Sequence, residues 1–196
     1  MTTNYYKPLE IETEEIAGIK TALTGMRLPK KQKKSVEDLH PLSESSRKLS
    51  SNLVLAGDSH AKFARSIFAF LKIKMQVGFM LELDTYRIGR EVISTSSSMH
   101  NELKHLTGVA LAEKKQADLP HKVYTQSASY SYQCLRNIYL SRRNHRHPDW
   151  QIFCDHIEGL PLFHVLIVPS KATKSSTQHN LSSCSGKCSE GCTCGS

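Results

Sequence analysis

The sequence predicts an α+β domain followed by a flexible, cysteine-rich tail, and three observations carry that reading. Apolar residues recur at helical spacing in Ile16, Ile19, Leu23 and Met26, and again from Leu135 to Ile157. Between these stretches the period changes to two: Ile67, Ala69, Leu71, Ile73 and Met75 alternate with Phe68, Phe70, Lys72 and Lys74, a strand signal. Beyond residue 168 large apolar side chains almost vanish, so the expected division is a domain over 1–168 and a tail over 169–196.

The 196 residues are enough for one domain with a real core, and 22% charged with 39% hydrophobic residues is a globular balance rather than a disordered one. Of the net charge of +8, the tail contributes only Lys171, Lys174 and Lys187 against Glu190, so the domain keeps about +6. That charge favours an anionic partner: a nucleotide, a nucleic acid or an acidic protein. The opening MTTNYYKPLEIETEE has no apolar signal region, and Lys72 and Lys74 interrupt the apolar run 67–83. No membrane span is expected, and a cytoplasmic protein is the default.

Taken in order, Leu9–Ile11 fits a short first strand. Thr13 reads as an N-cap, with Glu14 and Glu15 in the first turn of a helix closing near Gly25. Arg27, Lys30, Lys31, Lys33 and Lys34 put five positive charges in eight residues with no acid, which fits either a solvated loop or a phosphate contact. A Ser-rich stretch then enters a helix carrying Leu49, Leu53 and Ala56. Gly57-Asp58-Ser59-His60 reads as a turn, with Ser59 capping a short helix through Phe63. Val77, Phe79, Met80 and Leu83 fit a continued sheet or a helix equally well. Ser96, Ser97 and Ser98, set beside Arg87 and Arg90, fit a phosphate or pyrimidine contact, or a solvated turn. Leu103, Leu106 and Val109 predict a short helix, and 114–121 a polar connection.

The densest signal is YQCLRNIYLSRRNHRHPDWQIFCDHI, residues 132–157. Leu135, Ile138 and Tyr139 form the apolar face of one helix; Pro148 and Asp149 open a second, with Trp150, Phe153 and Ile157 on its buried side. Arg142, Arg143, His145, Arg146 and His147 lie between them, either as an anion seat or as a basic surface corner. Cys134 and Cys154 read as reduced helix residues. In the tail, Cys184, Cys188, Cys192 and Cys194 place four thiols in eleven residues, a set that fits a soft metal such as zinc or copper(I), or adventitious metal and oxidation.

Three stretches in order resemble the flavin-dependent thymidylate synthases, the ThyX family, in their divergent bacteriophage form. The family has G-H-x-S-P-F-E-H and an F-x-F-x-I-K strand, then R-H-R-x7-S-x-R, then S-L-x-H-F-L-x-L-R followed by A-Q-x-E-I-R. Here the matching positions are 57–65 with Phe68–Lys74, then Thr85-Tyr86-Arg87 with Ser96–His100, then 134–142 with 148–153. The chain departs from the pattern where R-H-R becomes Thr85-Tyr86-Arg87, where Met99 replaces an arginine, and where Phe153 replaces the last arginine.

The resemblance implies an antiparallel sheet packed with long helices, a homotetramer with sites between subunits, and methylation of dUMP using FAD, with folate and NADPH as co-substrates. It further implies Arg142 polarising the uracil, Ser97 near the reacting carbon, and Arg87, Ser96, Ser98 and Arg143 on the substrate. His60, Arg65, Arg90 and Asn137 would then face the cofactor. Two alternatives remain: an inactive nucleotide-binding protein of phage regulation or counter-defence, and a nucleic-acid-binding accessory protein using the basic runs.

Overall fold

A computed structural model describes residues 6–30, 42–97 and 103–169. Its centre is a four-stranded antiparallel sheet in the order β1-β2-β4-β3, made of β1 (Glu10–Ala17), β2 (Phe68–Gln76), β3 (Arg90–Thr95) and β4 (Val123–Ser131). The period-two pattern places β2 centrally. Ala69, Leu71, Ile73 and Met75 are fully buried, while Lys72 and Lys74 stand exposed on the other face. There they pair across to Glu12 and Glu10 at 3.6 and 2.9 Å. These exposed pairs guide register more than they stabilise.

The helices are α1 (Ile19–Gly25), α2 (Glu44–Leu55), α3 (Val77–Leu83), α4 (Gly108–Asp118), α5 (Tyr132–Arg142) and α6 (Pro148–Glu158). Leu135 and Ile138 of α5, Trp150, Phe153 and Ile157 of α6, and Phe79 and Leu83 of α3 join the inner sheet face in one core. The two helices of 132–157 lie where the spacing predicts. Pro148 opens α6, and the Ser131 hydroxyl caps α5 by accepting from Cys134 N at 3.2 Å. Burial pushes the free Cys134 and Cys154 thiols up to about 11, so both stay protonated.

Several local expectations are overturned. Thr13 does not cap a helix; it lies inside β1, whose alternating residues pair with the central strand, with an irregularity between Thr13 and Glu15. Ladder bonds to a buried strand outweigh a capping preference worth about 1 kcal/mol. α1 begins only after Gly18, which has φ 85° and would carry a Cβ 2.1 Å from the Ser66 carbonyl oxygen. Ser59 caps nothing either: a 3-10 turn runs over Lys62–Ser66, after Ala61. The helix expected at Leu103–Val109 starts instead at Gly108 and extends through the presumed connection to Asp118. α4 has no buried residue, so it offers no apolar stripe to read. Val77–Leu83 resolves as helix.

The segment before β1 is fastened by the buried Asp149 carboxylate. Its Oδ1 accepts from Tyr6 Oη at 2.6 Å and from Leu9 N at 3.1 Å. Asp149→Ala should lower unfolding free energy by about 2–3 kcal/mol in urea, the cost of stranding buried donors. A second tie is pH-dependent. His156 of α6 shares a 2.8 Å hydrogen bond with Thr13 of β1, and burial lowers its pKa below the ordinary 6.5. The native state therefore binds fewer protons than the unfolded chain as pH falls below that ordinary value. Its contribution is present above the unfolded pKa and is lost as pH drops through the folded one. Urea midpoints from pH 7.5 to 5 should fall for the native sequence and flatten for His156→Gln.

Candidate functional site

Where α5 ends, the chain turns Arg142 inward. Its Nε donates to Tyr86 Oη at 2.8 Å, and its Cζ sits 4.8 Å from the Trp150 ring centroid and 5.6 Å from that of Tyr86. Trp150 is fully buried, its indole Nε1 donates to Glu82 Oε2 at 2.7 Å, and Phe79 meets it edge-on at 4.7 Å. A guanidinium on an aromatic face with its Nε satisfied is a rigid fork rather than a mobile cation. Among the described residues its two terminal amino groups have no hydrogen-bond partner.

Arg143, next in the chain, faces the other way. It pairs with Asp155 through Nη1 and with Glu158 through Nε at 3.2 Å, so its charge is held by α6. Arg90 is also occupied. Buried at the start of β3, it donates from Nε to Tyr130 Oη at 2.9 Å, from Nη1 to Asp84 Oδ1 at 2.8 Å, and from Nη2 to Gln126 Oε1. Burial opposes its charge, but Tyr130 and Asp84 outweigh it and its pKa rises. Gln126 passes the network on by donating to Thr95 Oγ1 at 3.1 Å. Arg90 thus acts as a brace for the loop over 84–89.

That loop carries the rest of the local site. Arg87 is exposed, one residue from Tyr86, with only its Nε engaged, on the Asp84 carbonyl at 3.3 Å. Gly89 lets the loop cross α5's cap: at φ 78° its carbonyl accepts from Ser131 N at 2.7 Å, and a Cβ would stand 2.3 Å from Ser131 Oγ. Arg142 and Tyr86 are therefore in contact, and Arg87 follows Tyr86 on the same loop.

The serines are not. Ser96 follows β3, its hydroxyl accepting from Thr125 N at 2.9 Å, and Ser97 is exposed beside it. β3 is six residues long, so roughly 20 Å of extended chain separates them from Arg90 and the loop. Ser98 lies outside the described residues, as do Lys31, Lys33 and Lys34 of the early basic run and Cys184, Cys188, Cys192 and Cys194.

The residues read as facing a cofactor are dispersed. His60 lies on the rim of a groove of about 590 Å³ between α1, α2 and the 3-10 turn, with Met26, Leu49, Leu53 and Phe63 as apolar lining and Lys62 beside it. Arg65, in the same turn, is tied to α5 through Gln133. Asn137 is exposed on α5. Arg136 reaches the Ile167 carbonyl oxygen, and Arg27 reaches Ser45 and Ser46 at 2.6 and 3.0 Å. Among the described residues, no three of His, Cys, Asp and Glu converge as a metal site. Trp150, Tyr86 and Glu82 escaped sequence reasoning because each reads alone as an ordinary core or loop residue; Tyr86's place in the R-H-R position was the one available signal.

No protein-family model matches the sequence, and no curated protein matches it. The fold does match solved structures. One is flavin-dependent thymidylate synthase ThyX from Helicobacter pylori complexed with FAD and dUMP, at TM-score 0.62 and 15% identity, covering 81% of this chain and 97% of that one. A second structure of ThyX from Helicobacter pylori, with FAD and dUMP, aligns at TM-score 0.56 and 14% identity over the same shares. The fold is ThyX-like. At this identity, what carries over is the overall arrangement of elements. Among the described residues no helix is long and apolar enough to cross a membrane.

The brace is testable apart from any ligand. Arg90→Ala leaves Tyr130, Gln126 and Asp84 without their shared partner, and should cost about 3–5 kcal/mol of unfolding free energy by chemical denaturation.

Proposed function

We propose that this chain binds a pyrimidine deoxynucleotide of the dUMP type, with the Arg142 guanidinium as its anchoring group. The observation that carries the reading is the fork itself: fixed at Nε, laid on Trp150, and open at both amino groups. Paired parallel donors suit two adjacent coplanar acceptors, such as a uracil carbonyl oxygen and the N3 of the ionised ring, and stabilise negative charge there. Arg87 on the neighbouring loop supplies a cation for the 5′-phosphate. The ThyX-like fold supports the choice of nucleotide, since the Helicobacter pylori enzyme of that fold is complexed with dUMP.

Flavin-dependent methylation of dUMP is the fuller form of this reading, favoured by the groove at His60. Its apolar lining with His60, Lys62 and the nearby Arg65 would hold an aromatic ring system with a phosphate at the rim. Bound there, FAD would supply hydride transfer, with folate giving the one-carbon unit and NADPH the reducing equivalents. The cation set is thin for a dinucleotide. Arg90, Arg136 and Arg143, which would replace the family's missing arginines, are engaged inside the protein. Nucleotide binding is therefore the stronger proposal and methylation the second.

Ser96 and Ser97, which follow β3 roughly 20 Å of extended chain beyond Arg90, would meet the seat of Arg142 from a second copy of the chain. The exposure of Val92 and Ile93 on edge strand β3 supports a homo-oligomeric, tetrameric assembly with shared sites. A nucleic-acid role draws less support, because Arg27 and Arg142 are engaged by neighbouring side chains and Arg143 is held in surface ion pairs with Asp155 and Glu158.

Calorimetric titration with dUMP should give saturable binding that weakens at least tenfold in Arg142→Ala; unchanged affinity would remove the seat. Flavin released on denaturing the purified protein, or uptake of added FAD with a dUMP-dependent spectral change, is expected for the methylating form. Colourless protein that takes up no FAD would leave nucleotide binding alone.

A further inference from the structure

We propose that Tyr86 is the positioning residue of the Arg142 seat. It holds the guanidinium by Nε so that both terminal amino groups stay available to a ligand. This inference rests on the nucleotide reading above and adds to it the determinant of fork orientation.

An arginine at a helix end ordinarily loses rotamer freedom when a ligand fixes it. Here the loss is taken on folding. Tyr86 Oη accepts from Nε at 2.8 Å and the Trp150 ring supports the guanidinium plane from 4.8 Å. Neither support is loose. Trp150 is held by Glu82 at 2.7 Å and by Phe79, and Tyr86 packs edge-on against it at 5.8 Å. The backbone around Tyr86 is fastened on both sides: Tyr86 N donates to the Leu83 carbonyl at 3.1 Å, and Asp84 is ion-paired with Arg90 at 2.8 Å.

The choice of nitrogen matters. An acceptor on Nη1 or Nη2 would occupy half the fork; one on Nε sets its direction and consumes neither arm. The oriented fork selects a ligand with two adjacent acceptors over a single spherical charge. Tyr86 therefore contributes to the preference for a two-acceptor ligand over a spherical anion such as chloride.

The test uses the full-length chain with dUMP and with chloride as a spherical anion. The sole tryptophan is the one under Arg142, so its emission reports occupancy directly. Tyr86→Phe keeps the ring and removes the acceptor. It should weaken dUMP binding about tenfold, with little change in chloride affinity and an unchanged urea midpoint. Tyr86→His, which restores a ring acceptor, should recover part of the loss.

A ligand-free readout runs alongside. The Arg142 Nε–H resonance, identified by its loss in Arg142→Lys, should exchange slowly with solvent in the native chain and rapidly in Tyr86→Phe. If Tyr86→Phe binds dUMP as tightly as the native chain while Arg142→Ala does not, the positioning role is overturned and the seat stands. If the native chain binds no dUMP, seat and positioning role fall together.

Discussion

The indole of Trp150 is the part on which the remaining arrangement depends. A buried tryptophan removes some 150–250 Å² from water and must also satisfy one N–H. Here that N–H reaches Glu82 at the end of α3, while the ring touches Phe79, Phe153 and Tyr86 and carries Arg142. One side chain thus joins α3, the loop before β3, α5 and α6. Core packing and site geometry are the same set of contacts, so the site is rigid wherever the core is well packed.

Formal charge is a poor guide to which cations are available. The excess of +8 suggests a generously basic surface. Yet Arg90 is consumed by Tyr130, Asp84 and Gln126, Arg143 by Asp155 and Glu158, Arg136 by a backbone carbonyl, and Arg27 by two serines. Arg142 differs because, among the described residues, only its Nε is hydrogen-bonded. A protein read for ligands by its arginines has to be read for the partners of those arginines first.

What the sequence disclosed follows from where its signals are strong. Period-two burial identified β2, and helical spacing with Pro148 identified α5 and α6, because burial imposes those patterns directly. β1 was misread at Thr13 because a capping residue and a strand residue look alike locally; the pairing with β2 that decides the matter lies some sixty residues away in sequence. The helix expected at Leu103–Val109 meets α4 only at its start, because a helix with no buried residue carries little apolar phase to fix its bounds. Of the site, Arg142 was legible, while its supports Tyr86, Trp150 and Glu82 were not, since a side chain's orienting partners are tertiary facts. The separation of Ser96 from Arg87 was hidden for the same reason: β3 stands between them as an extended spacer.

The carboxylate of Asp149 has a further consequence, for the order in which the chain acquires its structure. Tyr6 and Leu9 reach it across 143 and 140 positions of sequence, more than twice the separation at which β1 meets β2. Such non-local closures are slow relative to the formation of α5 or α6. During synthesis the segment before β1 emerges early, and although Lys7 N can reach Gln76 at the end of β2, Leu9 N has no carboxylate to bond until α6 has followed it out of the ribosome. The start of this domain therefore waits on its end for its buried tie, and an interrupted chain that stops before α6 leaves that early segment without the Asp149 anchor.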